Sequence, residues 1–244
     1  MHYSEYCIRG AKYLISPTGD IRFYDDLRKV VKHHREFLRY VESMPRRELP
    51  LQYLILKRCI DLLGAIIGLL CCLLPFLVII IAIKFDSAGS PFYRQARVGK
   101  NGKVFKIIKF RTMFKDAESK TGPIWAAQSD PRLTRVGKFL RRTKLDELPQ
   151  LVNILLGQMS FVGPRPERPE FVFRFVEIMP AYDRRHEIKP GLTGLAQLRH
   201  GYDKSATSVY RKLRWDIKYM ERIGLKMDIW LILKTISALV RGKV

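Results

Sequence analysis

An uninterrupted apolar run, LLGAIIGLLCCLLPFLVIIIAI, occupies residues 62–83 and meets no charge until Lys84. Its 22 residues compare with the roughly 20 that an α-helix needs to cross the hydrocarbon core of a bilayer. A core helix of a soluble domain would carry polar residues on one face, and this run carries none, so it reads as a membrane-inserted segment. Its flanks restrict how it inserts. Arg46, Arg47, Lys57 and Arg58 precede it; Lys84, Arg94, Arg97, Lys100 and Lys103 follow. Cations beside a membrane segment are retained on the cytoplasmic side, so both ends ask for the same side. A straight helix cannot satisfy both, whereas a re-entrant helix hairpin can. Pro75 supplies the break, because it lacks an N–H and its ring clashes with the preceding turn. A kinked single span is the alternative.

The charge balance says what such a chain can bind. With 45 Lys+Arg against 23 Asp+Glu, the 244 residues carry a formal net charge of +22. That excess calls for an anionic partner: nucleic acid, anionic lipid or a phosphorylated substrate. Cys7, Cys59, Cys71 and Cys72 show no metal-binding spacing, and His33 and His34 read as solvated side chains on a charged helix, so no zinc site is expected. The first fifty residues lack the short apolar region of an export signal, which places the beginning of the chain in the cytoplasm.

Three regions follow: an N-terminal appendage over 1–50, the membrane segment over 51–84, and a cytoplasmic domain over 85–244. In the appendage, LISPTGDIRFY suggests two short strands around a Thr18-Gly19 turn. DDLRKVVKHHREFLRYVESM suggests an amphipathic helix with Leu27, Val30, Val31, Phe37, Leu38 and Val41 as its apolar positions. After the membrane run, SPFYRQARVGKNGKVFKIIKFRTM reads as a β-hairpin: Phe92 and Tyr93 begin the first strand, Lys100-Asn101-Gly102 makes the turn, and Val104–Phe110 forms the second. Helical pattern resumes near Leu133 and runs through LRRTKLDELPQLVNILLGQM; FVGPRPERPE is too proline-rich for regular structure and reads as a rigid loop. The dozen largely apolar residues between Asp228 and Arg241 suit an interfacial helix anchored by Trp230, Arg241 and Lys243. The cations and aromatics of 202–227, including Tyr210, Trp215 and Tyr219, fit a solvated helix face as well as headgroup contact.

Four segments carry the candidate chemistry: KFRTM at 109–113, RRTKLDELPQ at 141–150, GPRPE at 163–167 and KPGLTGLAQ at 189–197. The acidic pair Asp146–Glu147 beside Arg141, Arg142 and Lys144 is, on its own, most simply a surface ion-pair cluster. It is also what a reaction centre for a phosphorylated substrate needs: carboxylates for attack and metal binding, cations to neutralise phosphate oxygens. Adjacent helical residues point about 100° apart, which would give the two acids separate roles. Pro164 and Pro166 stiffen a loop around Arg165, whose planar fork suits phosphate. Lys109 and Arg111 on one strand are expected to face the same anionic pocket. Gly191 and Gly194 permit close backbone approach.

Taken together and in this order, these four motifs resemble the bacterial sugar transferases, the monotopic phosphoglycosyl transferases, from about Lys57 to the end of the chain. The resemblance implies a mostly α fold with a small β-hairpin, in which a re-entrant membrane helix hairpin and interfacial amphipathic helices carry a cytoplasmic catalytic domain. It implies transfer of a sugar 1-phosphate from a nucleoside diphosphate sugar, usually a UDP sugar, to polyprenyl (undecaprenyl) phosphate at the cytoplasmic face of the bacterial inner membrane. Asp146 stands where the family has its nucleophile, which forms a covalent phosphosugar intermediate. Glu147 stands where the family holds Mg²⁺. Arg165 between Pro164 and Pro166 matches the loop against the nucleotide, with Lys109, Arg111 and Arg142 as further donors to the diphosphate. Membrane lipids are implied partners, a homodimer is allowed, and nucleic acid is not expected. One departure stands out: many small members have a serine directly before the hairpin proline, and this chain has Leu74. The competing readings are a non-enzymatic basic protein for anionic lipid or nucleic acid, and a conventional glycosyltransferase that releases UDP.

Overall fold

The computed structural model describes residues 4–8, 11–15, 21–117, 130–199 and 205–242, with backbone alone before residue 23. In chain order the elements are β1 (Ser4–Ile8), β2 (Ala11–Ile15), α1 (Ile21–His33), α2 (Arg35–Ser43), α3 (Leu51–Cys71), α4 (Leu73–Asp86), β3 (Phe92–Val98), β4 (Val104–Phe110), α5 (Arg135–Thr143), α6 (Gln150–Leu155), β5 (Ser160–Val162), α7 (Pro169–Ile178), β6 (Gly191–Thr193), α8 (Leu195–Arg199), α9 (Ala206–Glu221) and α10 (Leu225–Val240). Among the described residues, three two-stranded sheets, β1–β2 and β3–β4 antiparallel and β5–β6 parallel, sit among these helices.

The N-terminal region departs from the sequence reading in two places. Ile21–Tyr24, expected in a strand, forms the first turn of α1. Phe23, Leu27, Val30 and Val31 recur at helical spacing, and that stripe, with Leu27 fully buried, outweighs the local strand preference. The Thr18-Gly19 turn lies outside the described residues, and β2 instead pairs with β1. The helix expected over 25–44 breaks at His34. Its ring stacks on Tyr210 with centroids 4.0 Å apart, so His34 is packed rather than solvated. Leu27, Leu38 and Val41 join Phe171, Phe175, Val209 and Leu213 in one core, which fastens α1 and α2 to α7 and α9.

The apolar run is broken, as expected, and α3 and α4 meet at a 60° bend. The break falls at Cys72, three residues before Pro75. Proline sits comfortably in the first turn of a helix, where its missing N–H is not needed, so the disruption appears in the turn before it. Cys72 N–H donates to Gly68 O at 3.0 Å and Cys72 O accepts from Phe76 N–H at 2.8 Å, bridging the corner. No single helix among the described residues is long and apolar enough to cross a membrane. Outward-facing Leu63, Ile66, Ile67, Leu70, Leu73, Leu74, Leu77 and Val78 leave the bent pair with a continuous exposed apolar surface. On α10, Ile229, Trp230, Leu233, Ile236 and Leu239 form a second exposed apolar set; Lys243 lies outside the described residues.

Polar contacts seat the bent pair on the domain. Asp61, buried within the apolar helix, accepts from Ser160 Oγ at 3.0 Å and Phe161 N–H at 2.9 Å. Asp228, also buried, accepts from Tyr53 at 2.9 Å, Lys57 at 2.6 Å and Tyr219 at 2.6 Å, tying α3 to α9 and α10. Lys57, counted as a flanking cation, is therefore spent internally. Tyr210 and Tyr219 are core residues, not a stacking platform for bases.

The β3–β4 hairpin starts at Phe92 and has its second strand over Val104–Phe110 as expected; its first strand ends at Val98, with Phe92 opposite Phe110 and Val98 opposite Val104. Its turn places Asn101 at φ 56°, a left-handed conformation that asparagine tolerates.

Candidate active site

The helix expected from Leu133 through Met159 is interrupted at the acidic pair. Lys144 adopts φ 59° and closes α5 as a left-handed cap; Leu145–Glu147 then form a single 3₁₀ turn, and Pro149 is the residue before α6. Pro149 has no N–H to carry the 3₁₀ turn on into a continuous helix, so α6 starts anew after it. On a 3₁₀ turn neighbours point about 120° apart rather than 100°, and the divergence of the two acids survives the correction.

Glu147 is the hub of the site. Its Oε1 accepts from Lys109 Nζ at 2.8 Å and from Arg165 Nη2 at 2.5 Å, while Oε2 accepts from Arg165 Nη1 at 3.2 Å. Burial alone would raise its pKa, but the Arg165 guanidinium and the Lys109 ammonium outweigh it and hold Glu147 well below the usual carboxylate range. Asp146 is only 7% exposed, yet its carboxylate makes no hydrogen bond among the described residues. Burial pushes it above the ordinary aspartate value, against the pull of Lys109, and the Glu147 charge adds to the rise. The two adjacent acids are thus driven in opposite directions: one is a fixed, compensated anion, the other an unpartnered carboxylate of raised basicity.

The supports of these side chains are themselves buried polar groups. β4 carries Lys109, and Asn153 on α6 braces that strand by accepting from Ile108 N–H at 2.9 Å and donating to Lys106 O at 2.9 Å. The loop 163–168 carries Arg165, and four successive carbonyls are pinned: Pro164 by Gly191 N–H at 2.9 Å, Arg165 by Arg185 at 2.8 Å, Pro166 by Arg97 at 3.1 Å, and Glu167 by Val98 N–H at 3.0 Å. Arg185 is itself buried 2.9 Å from Asp216 and donates to Tyr182 Oη. Pro164 and Pro166 are buried, so they stiffen the loop from within. The irregular stretch is shorter than expected, because Phe161–Val162 belong to β5 and Pro169 opens α7. Gly191 and Gly194 do permit close approach, but to the Gly163 backbone: a Cβ would lie 2.1 Å from Gly163 N and 2.3 Å from Gly163 O, respectively.

Of the expected site residues, Asp146, Glu147, Lys109 and Arg165 come together. Arg111 does not join them: its guanidinium donates to Ser87 O at 2.6 Å and Ala88 O at 2.8 Å, capping the end of α4. Arg142 is exposed on α5, while Arg141 on the same turn acts through its charge on Asp146, as Arg165 does. Arg97, Arg185 and Asn153 were missed. Arg97 had been counted among the membrane-flanking cations, and nothing in sequence distinguishes a buried arginine that holds carbonyls from a solvated one.

For a metal, the donor set is two adjacent carboxylates, and among the described residues no third acid, histidine or cysteine joins them. Hard oxygen donors of this number suit Mg²⁺, which takes its remaining ligands from water and substrate phosphates. At Glu147 such an ion would compete with Lys109 and Arg165.

The model of the bacterial sugar transferases matches residues 52–242, nearly all of the chain beyond the first helices. The chain belongs to this family. Among curated proteins it is 39% identical over 190 residues to a UDP-N-acetylgalactosamine-undecaprenyl-phosphate N-acetylgalactosaminephosphotransferase of Aeromonas hydrophila, covering 78% of this chain and 45% of that one. It is 41% identical over 197 residues to the exopolysaccharide production protein PSS of Rhizobium leguminosarum bv. phaseoli, covering 78% of this chain and 98% of that one. A UDP-glucose:undecaprenyl-phosphate glucose-1-phosphate transferase of Escherichia coli K12 is 36% identical over 211 residues, 84% of this chain and 45% of that protein. The chain thus spans less than half of two of these relatives and nearly all of the third.

Proposed function

We propose that this protein transfers a sugar 1-phosphate from a nucleoside diphosphate sugar, a UDP sugar by analogy with the named relatives, to undecaprenyl phosphate at the cytoplasmic face of a bacterial inner membrane. The observation that carries the reading is the split character of the acidic pair: Glu147 locked by two cations, Asp146 beside it without a partner and with raised basicity. In the first step a carboxylate oxygen of Asp146 attacks the sugar-bearing phosphorus. The bond from that phosphorus to the bridging oxygen breaks, and the nucleoside monophosphate leaves with the electron pair. In the second step an oxygen of the polyprenyl phosphate attacks the same phosphorus, giving the polyprenyl diphosphate sugar and restoring the free carboxylate. Lys109 and Arg165, both bonded to Glu147, would turn toward the diphosphate and offset the repulsion between two anions. Mg²⁺, held by Glu147 with Asp146 adjacent, would neutralise phosphate oxygens in the same place.

The bent α3–α4 pair suits a re-entrant anchor, since its apolar outer surface needs lipid while its flanks carry cations. The pinned 163–168 loop and the buried tyrosines of α9 favour an enzyme over a charge-driven lipid- or nucleic-acid-binding protein. The test is the nucleotide released from a panel of UDP sugars by membranes containing the protein. Mg²⁺-dependent UMP supports the proposal; UDP would instead make the protein a conventional glycosyltransferase, and no release from any donor would remove the enzymatic reading.

A further inference from the structure

A second cationic site lies at the end of α3 where the apolar run begins. Arg58 donates to Ile154 O and Leu155 O, both at 2.8 Å, and so closes the C-terminal end of α6. Those bonds use two of its five N–H donors. The next residues turn sharply at Gly157, whose φ of +75° lies in the left-handed region. A Cβ placed on Gly157 would be 3.4 Å from Arg58 Nη2 and 3.5 Å from Lys189 Nζ, so the two cations converge on one small space over a bare backbone. Lys189 is half-buried and makes no hydrogen bond or ion pair among the described residues. The charges that act on it most strongly are those of Arg58, Asp61, Lys100 and Lys57, and Asp61 Oδ1 is committed to β5. Burial and the neighbouring Arg58 push the Lys189 ammonium below its ordinary value. Neither Asp146 nor Glu147 is among these groups.

Two partly desolvated cations facing one gap repel each other unless an anion occupies it. The surroundings give that anion a tail. Leu156, next to Gly157, is 64% exposed, and Ile55, almost one turn before Arg58 on α3, is 53% exposed. We propose that Arg58, Lys189 and the space over Gly157 form a binding site for the phosphate of a membrane amphiphile, separate from the Asp146–Glu147 centre. The phosphate belongs either to the polyprenyl phosphate acceptor, an assignment that rests on the transfer reaction proposed above, or to a phospholipid headgroup that fixes the depth of the bent helix pair.

The test uses the full chain in neutral detergent, with Lys189→Gln and Lys189→Arg beside the unmutated protein. Because Lys189 Nζ holds no partner, thermal unfolding of Lys189→Gln should match that of the parent. Retention of phosphatidylglycerol is read by native mass spectrometry, and KM is read for polyprenyl phosphate and for the nucleotide sugar. Loss of one charge-assisted contact should change the affected quantity roughly tenfold, and Lys189→Arg should restore it. A raised acceptor KM with unchanged donor KM assigns the site to the acceptor; lost phosphatidylglycerol with unchanged KM values assigns it to phospholipid. If Lys189→Gln alters neither, or if inorganic phosphate competes as well as the lipids do, the proposal is overturned. Should the unmutated protein show no turnover, the transfer reading fails while the phosphatidylglycerol measurement still decides the site.

Discussion

Gly191→Ala tests whether the loop that carries Arg165 is held by backbone contact with β6. The new methyl would stand 2.1 Å from Gly163 N, 2.4 Å from Thr193 O and 2.6 Å from Gly163 O, where ordinary contact begins at 3.4 Å. All three neighbours are backbone, so no side chain can swing aside; β6 must bend at Gly191 and draw back from the Gly163 backbone by about 1 Å, a shift large enough to cost about 100-fold in rate when it reaches a reacting group. Gly191 N–H holds Pro164 O and Gly163 N–H holds Thr193 O, both at 2.9 Å, so the displacement passes directly to Arg165. Overpacking of this kind costs about 1–3 kcal/mol. In a chain of this size each kcal/mol lowers Tm by about 2–4 °C. The expected result is therefore a kcat reduced about 100-fold in a protein that still folds, with Tm lowered by roughly 2–12 °C. Gly224→Ala is the control, since nothing lies within 4 Å of its Cβ position, and kcat should not change. A Gly191→Ala enzyme with lowered Tm but parental kcat would refute the claim that β6 positions Arg165.

Three further outcomes are expected. Arg165→Ala removes a charge-assisted donor that is 37% exposed, and should lower kcat/KM for the nucleotide sugar roughly tenfold while membrane association stays unchanged; parental kinetics would take Arg165 out of the site. Asp146 must be ionised to attack and its pKa is raised, so kcat should fall as pH drops through a point above the ordinary aspartate value of about 3.9, while Glu147, held low, stays charged throughout; an acid limb at or below that value contradicts the burial argument. In a variant without native cysteines, Glu48→Cys and Lys103→Cys, both at exposed positions, should be equally shielded from an impermeant thiol reagent in intact cells, and Pro75→Leu should expose part of the Glu48→Cys population. Labelling of Glu48→Cys from outside with Pro75 intact would make the segment a single span.

The elements most legible in the sequence were those set by local chemistry. The hairpin could be read because Asn101-Gly102 tolerates positive φ between two strand-forming runs, and the break in the apolar run because proline cannot continue a helix. Its position was misjudged by three residues, since proline disturbs the turn before it. The acidic pair was visible, but not its 3₁₀ setting, which depends on Lys144 adopting a left-handed conformation that lysine does not advertise. Least legible were contacts between distant segments. Lys57 and Arg97 look like membrane-flanking cations, yet one meets Asp228 at 2.6 Å and the other Pro166 O at 3.1 Å. Arg111 shares a motif with Lys109 but turns to the end of α4, because the five-residue connection after α4 leaves carbonyls there that need a donor.

The most direct test of the central claim is the intact mass of the purified protein after incubation with a UDP sugar and Mg²⁺ in the absence of any lipid acceptor. The account predicts a mass increase equal to one sugar phosphate, lost on adding polyprenyl phosphate and absent from Asp146→Asn. An unmodified mass in a preparation that turns over when acceptor is supplied, or an Asp146→Asn variant that still carries the adduct, would contradict it.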